Sequence, residues 1–441
     1  MSMTGSTRLS NAASAPLRRP RAASGRLLRG VLALSPRVSA LYTSLCCFLF
    51  FALLSNAAAA SPKSASSPLN ATQAQDQFYS MELEQAADSY RKLLAVDPEN
   101  PDYWTSLAHV YLFQQLQRMG KFENDIFPAA AAITPAGRAH DPVLATQMWD
   151  ALGRARNICE KRLQRNPRDL DANYFMGIAY ALESNYQISV ARKFLDALDP
   201  ATKAKDYHLK VLQIDPQNHD ANLVIGTYEY GIGSIPFAFR WIARIAGHTG
   251  TKEHGMQLIT DAMLKGKRGP APALIMLAYI HNREKQYDYS QQMLDQLARF
   301  YPRNSFYELQ VASSLQKAGD LRGAAEVFRN IERKTEQGAP GFANKVDLPR
   351  LRFQLATTYE NLRQRDLALN YYRLILPWES GKKTSYDTPQ PLQAYAYLRM
   401  ANLRRELGHR DAAREYYQKA LEFNLPEIQK LARNALKKLS E

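Results

Sequence analysis

Acidic residues are absent from positions 1–60, yet seven arginines fall there, at 8, 18, 19, 21, 26, 29 and 37. The formal net charge of +15 is therefore uneven, and residues 61–441 carry fifty basic against forty-two acidic side chains. That balance lacks the footprint of nucleic-acid binding, so no nucleic-acid partner is expected. Cysteine is scarce too: Cys46 and Cys47 lie in the leader, leaving Cys159 alone in the rest of the chain. One cysteine excludes an internal disulfide and a cysteine-based zinc site. Alternating apolar and polar runs of strand length are missing, which points to an all-α chain.

Catalytic patterns are equally thin. His248 and His254 are six residues apart and lack the i, i+4 spacing and glutamate of a helical metalloprotease motif. Gly231-x-Gly233 and Gly266-Lys267-Arg268-Gly269 follow no strand, and the second has no Ser or Thr after its lysine. Both read as turns rather than phosphate loops. The expectation is a non-catalytic protein with no cofactor and no metal.

The leader has the parts of an export signal. An arginine-rich stretch precedes the apolar run Leu45–Leu54, and Ala57–Ala60 then offers a small-x-small cut before Ser61. Residues 40–60 are also long enough to remain as a signal-anchor. Either version places the remainder outside the cytoplasm, in a periplasm or secreted. A mitochondrial transit peptide, also arginine- and serine-rich and poor in acids, is the alternative. Residues 61–77 read as a flexible linker.

What the chain has is a ruler. Pro98, Pro167, Pro216 and Pro302 are each followed ten residues later by a small residue: Ala108, Gly177, Gly226 and Ala312. From Ala312, Gly319 stands at +7, Ala324 at +12, Phe328 at +16 and Ile331 at +19. From Ala401 the same offsets give Gly408, Ala413, Tyr417 and Ala420. Ala356 leads to Ala368, Tyr372 and Ile375, and Ala278 to Ser290, Leu294 and Leu297. Small residues at the origin and at +12 let two helices approach closely, large ones fill the wedge to the next pair, and proline ends the second helix.

This pattern resembles the tetratricopeptide repeat (TPR), a unit of about 34 residues. The resemblance implies a TPR-like α-solenoid of stacked antiparallel helix pairs over 78–425, with insertions near 119–142 and 231–250. Helices are expected at 102–118, 143–165, 170–183, 187–198 and 201–214. Regular pairs should then occupy about 271–301, 304–334, 348–377 and 390–424. Residues 426–441 read as a capping helix that covers the last pair.

Residues 226–258 break the repeat. Ser234-x-Pro236 reads as a helix start, and Ile235, Phe239, Ile242 and Ile245 share one face of a short helix ending at Gly247. With Gly247-x-x-Gly250 and Gly255, the segment resembles the eukaryotic inclusion-body-clearance tetratricopeptide family over residues 200–335. That resemblance implies a non-catalytic adaptor role. The function expected is an exported scaffold that holds a protein or peptide partner on its concave face. Residues next to the small origins are the candidates: His109, Asn173, Asn222, Tyr279, Gln310, Thr357 and Asn402. An alternative is a peripheral membrane contact through 234–247, with Arg240, Trp241 and Arg244 at a headgroup interface.

Overall fold

The computed structural model describes residues 70–133, 137, 139–236, 241, 247–376 and 388–440. Among them are nineteen helices and no strand. The first pair is α1 (Ala71–Tyr79) with α2 (Leu83–Val96). The second is α3 (Pro101–Arg118) with α6 (Pro142–Arg165), separated by the short helices α4 (Lys121–Ile126) and α5 (Pro128–Ala131). Then come α7 (Leu170–Ser189) with α8 (Leu198–Ile214), and α9 (Ala221–Gly233) with α10 (Lys252–Lys265). The fifth and sixth pairs are α11 (Ala271–Arg283) with α12 (Tyr287–Phe300), and α13 (Ser305–Ala318) with α14 (Leu321–Glu336). The last two are α15 (Leu348–Asn361) with α16 (Arg365–Ile375), and α17 (Gln390–Glu406) with α18 (Arg410–Leu421). Finally α19 (Pro426–Ser440) lays Ile428, Ala432 and Leu439 over the end of the stack, the place expected of a cap.

The ruler has a direct structural meaning. Ala312, Ala324, Ala356, Ala368, Ala401 and Ala413 are all fully buried where paired helices cross. The turn position at +7 is left-handed in every regular pair. Gly319 and Gly408 have φ of 89° and 82°, while Lys285 and Arg363 are forced to 61° and 60°. Helix starts are capped locally. Asn100, Asp141, Asp169, Asn304 and Asp347 each accept a backbone N–H through the side chain, and Pro101 and Pro142 stand in first turns.

The same ruler fits the first pair. From the fully buried Ala74, Met81 lies at +7 with φ 55°, and buried Ala86 and Tyr90 lie at +12 and +16. The linker expectation is thus corrected at 71–77, which belong to α1, whereas 1–69 lie outside the described residues. The expected break at 183 is also corrected. Helix α7 continues to Ser189, and 190–197 are non-helical around Arg192, whose φ is 55°. Ser184 Oγ donates to the Ala197 carbonyl at 3.0 Å and folds this link back onto α7.

The stack closes on itself. The turn between α1 and α2 meets the link between α12 and α13, joined by Arg303 to Asp76 and Glu82 and by Asn304 to the Tyr79 carbonyl. One level along, α4 packs on α13 and α5 on α15. Ile126, Phe127 and Ala130 of the insertion are buried there with Leu309 and Leu351. The superhelix therefore returns on itself after about five pairs, and the 119–142 insertion supplies apolar packing between successive turns.

Candidate partner-binding surfaces

The inner residues differ sharply in accessibility. His109 is 1% exposed, its ring 4.8 Å from that of Phe78 and 4.9 Å from that of Phe113. Asn173 is equally enclosed, its Nδ2 donating to the Pro167 and Asp169 carbonyls at 3.1 and 2.8 Å. Asn222 is buried as well. These three expected groove residues are therefore packed inside the molecule. For His109 the covering residue is Phe78 of the first pair. Tyr79, Tyr174 and Tyr307 are all buried at this centre, and burial pushes the Tyr79 and Tyr307 hydroxyls well above the usual phenol range.

Arg268, in the link between α10 and α11, seals the same region. Its guanidinium lies 4.3 Å from the Tyr174 ring centre, 4.7 Å from that of Phe175, and 3.6 Å from the Asp102 carboxylate. Burial pushes the Asp102 carboxyl up to about 6, against the pull of Arg268 and of the Ser106 hydroxyl. The backbone N–H groups of Lys267 and Arg268 donate to the Asp220 carboxylate at 3.0 and 3.1 Å. The Gly-Lys-Arg-Gly turn thus already holds an anion, one of this chain's own.

The other four candidates lie in the fifth to eighth pairs and stay half-buried: Tyr279 on α11, Gln310 on α13, Thr357 on α15 and Asn402 on α17. Thr357 Oγ1 donates to the Gln354 carbonyl at 2.8 Å, and Asn402 accepts the Tyr417 hydroxyl at 2.7 Å. Sequence reasoning overlooked the polar ladder beside them. Asn282 Nδ2 donates to Ser314 Oγ at 3.1 Å, Gln354 Nε2 to Gln316 Oε1 at 2.8 Å, and Gln316 Nε2 to Thr358 Oγ1 at 2.7 Å. These bonds run from one first helix to the next, and polar residues at −2, +2 and +4 of the ruler were the available signal.

In the central segment, Arg240 and Arg244 lie outside the described residues, as do 237–239 and the other residues of 242–246. Trp241 is helical and 58% exposed. Ser234 closes α9 as its C-cap, while the helix expected to start there falls on residues outside those described. Gly247 has φ 83°, the conformation of a helix stop. The glycines form a neck. A Cβ at Gly233 would lie 2.4 Å from the Lys252 nitrogen, and one at Gly250 would lie 2.7 Å from the Glu229 Cα. Tyr228 and His248 are hydrogen-bonded at 2.8 Å across it. Close backbone approach, rather than phosphate binding, accounts for Gly233.

Reactive chemistry is sparse among the described residues. Burial pushes the Cys159 thiol up to about 12, the opposite of an activated nucleophile. No group of three or more His, Cys, Asp or Glu could hold a metal ion among them. No helix among them is long and apolar enough to cross a membrane.

Residues 394–425 match the sequence model of the tetratricopeptide repeat family, across α17, α18 and the turn between them. No curated protein sequence matches this chain. Among solved structures, the chain is similar to a Cut9–Hcn1 hetero-tetramer of the APC/C, at 14% identity and TM-score 0.37. That match covers 84% of this chain and 55% of the other, so this chain spans about half of that protein. It is also similar to PilF of Pseudomonas aeruginosa, at 17% identity and TM-score 0.32, over 61% of this chain and 100% of that one. A TPR protein of Parabacteroides merdae shares 12% identity and TM-score 0.28, over 74% and 96% of the two chains. Residues 394–425 thus match one tetratricopeptide repeat, and the same register recurs in buried residues from Ala74 to Ala413, which gives the described residues a TPR-like α-solenoid fold.

Proposed function

We propose that the chain is an exported, non-catalytic scaffold that holds a protein or peptide partner on the first helices of its fifth to eighth pairs. The supporting observation is the graded burial of the candidates. His109, Asn173 and Asn222 are enclosed, whereas Tyr279, Gln310, Thr357 and Asn402 keep accessible surface along the polar ladder. Such a wall suits a peptide whose backbone needs donors and acceptors. The resemblance of residues 200–335 to the inclusion-body-clearance family adds an adaptor role to this reading. A photo-crosslinking amino acid at Thr357 or Asn402, used in the source cell, should yield a discrete protein adduct. Adducts absent there but present on the outer helices would sink the assignment.

Export rests on the leader, with its arginines, apolar run and Ala57–Ala60. The mature protein's N-terminus should be Ser61, read by N-terminal sequencing from the source cell. An intact leader spanning a membrane would favour the signal-anchor, and recovery from mitochondria would favour the transit peptide. The second reading, a membrane-surface contact through 234–247, is favoured by the exposure of Trp241. Flotation with anionic liposomes, lost on Trp241→Ser with Arg240→Glu, supports it; unchanged flotation of the variant counts against it.

A further inference from the structure

The seam where the superhelix meets itself has the anatomy of a peptide-binding site with its ligand in place. One side is a short stretch of this chain, 76–82. The other is the α12–α13 link with Lys345, more than 220 residues away in sequence. Arg303 donates to the Asp76 carboxylate at 2.5 Å and to that of Glu82 at 2.9 Å. Asn304 Nδ2 donates to the Tyr79 carbonyl at 2.8 Å, and Lys345 Nζ to the Met81 carbonyl at 3.2 Å. The Tyr79 ring packs 5.1 Å from that of Tyr301. Two carboxylates, two backbone carbonyls and one aromatic ring of a single turn are thus read by four side chains.

Three observations set this contact apart, although the Tyr79 ring itself is buried in the core. The ion pairs are open to water, with the Arg303 and Asp76 side chains 40% and 44% exposed. Ser80 Oγ, at the tip of the turn, is buried with no hydrogen-bond partner among the described residues, so its desolvation is uncompensated. Among the described residues, the first pair's neighbour in the stack is the second, packed through α2 on α3. A cleft also opens beside the turn, bounded by Ser80, Phe122, Phe127, Phe306 and Lys345.

We propose that Tyr301, Arg303, Asn304 and Lys345 form a docking site for an acidic peptide turn carrying an aromatic residue, and that residues 76–82 occupy it as an internal ligand. A partner segment of the same chemistry competes for the site and displaces the turn. This surface is distinct from the polar ladder, so crosslinking at Thr357 or Asn402 neither supports nor weakens it.

The test uses the full chain carrying Asp76→Lys and Glu82→Lys, which loosens the internal ligand and leaves the receiving face intact. The probe is a fluorescent peptide of residues 70–86 in the natural sequence. It should bind this variant about tenfold more tightly than the unaltered chain. Adding Arg303→Glu should abolish the gain. Amide exchange should rise at 76–82 and 301–305 and stay unchanged through α15–α18. Equal peptide binding by both chains overturns the proposal. So does a variant whose exchange rises throughout the molecule, because the first pair would then be core rather than ligand.

Discussion

At Gly226 and Gly255 two backbones meet with nothing between them. A Cβ at Gly255 would lie 2.5 Å from the Tyr230 nitrogen and 2.6 Å from the Gly226 oxygen. Neither atom can swing aside, so Gly255→Ala should cost about 1–3 kcal/mol, read as a lower urea midpoint with an unchanged slope. Gly177 answers to a different neighbour, since its Cβ would lie 2.4 Å from the ring of the fully buried His208. The His208 Nδ1–H donates to the Ala204 carbonyl at 2.8 Å. Burial pushes this imidazole down to about 4 from its ordinary 6.5. Between those two values the unfolded chain binds a proton that the folded chain refuses. Stability is therefore complete above pH 6.5 and declines as the pH falls towards 4, by about 3 kcal/mol. His208→Gln should flatten that part of the pH–stability profile measured by denaturant titration; an unaltered slope would mean that other groups carry it.

Elements differ in how far the sequence discloses them. The pairs built on Ala278, Ala312, Ala356 and Ala401 were legible because their spacing is local and set by helix–helix distance. The pair built on Ala74 obeys the same spacing, but polar linker sequence runs straight into its first helix. The central insertion hid another regularity. It carries the partner of Gly226 to Gly255, far past the usual +12. Helices α4 and α5 could not be placed at all, since their contacts reach α13 and α15 and leave no periodic mark. That distant packing has a measurable consequence. Phe127 is 1% exposed inside what reads as a loop, and Phe127→Ala should cost about 3–5 kcal/mol, as for a core phenylalanine. A melting temperature unchanged by that substitution would show that the insertion is not structural. The cap is the simpler case. Ile428→Asp should expose the apolar end of α17 and α18 and increase binding of a hydrophobic dye, without loss of helix elsewhere.

For the whole molecule, closure changes which parts of the array depend on each other. In an open solenoid each pair feels only its neighbours, and stability is a sum along the chain. Here the first pair also leans on the fifth and sixth through ion pairs that water reaches. Raising salt from about 0.1 M to about 1 M shortens the Debye length from about 10 Å to about 3 Å. Amide protection in α1 and α2 should fall over that range while α17 and α18 keep theirs; equal loss in both would leave the seam with no electrostatic share. Groove residues could be misread from sequence for the same reason. His109 stands in the register of an inner wall, yet Phe78 from the first pair and Phe113 from its own helix pack on its ring and bury it.

The closed seam also has a consequence for biosynthesis. Glu82 and Arg303 are 221 residues apart. At the usual pace of translation, the first pair emerges on the order of ten to forty seconds before the side chain that will hold it. Throughout that interval Tyr79 has no Tyr301 to pack against, and an apolar edge stands open on the nascent chain. The N-terminal pair is therefore first to be made and among the last to be secured, and chaperone dependence should concentrate there.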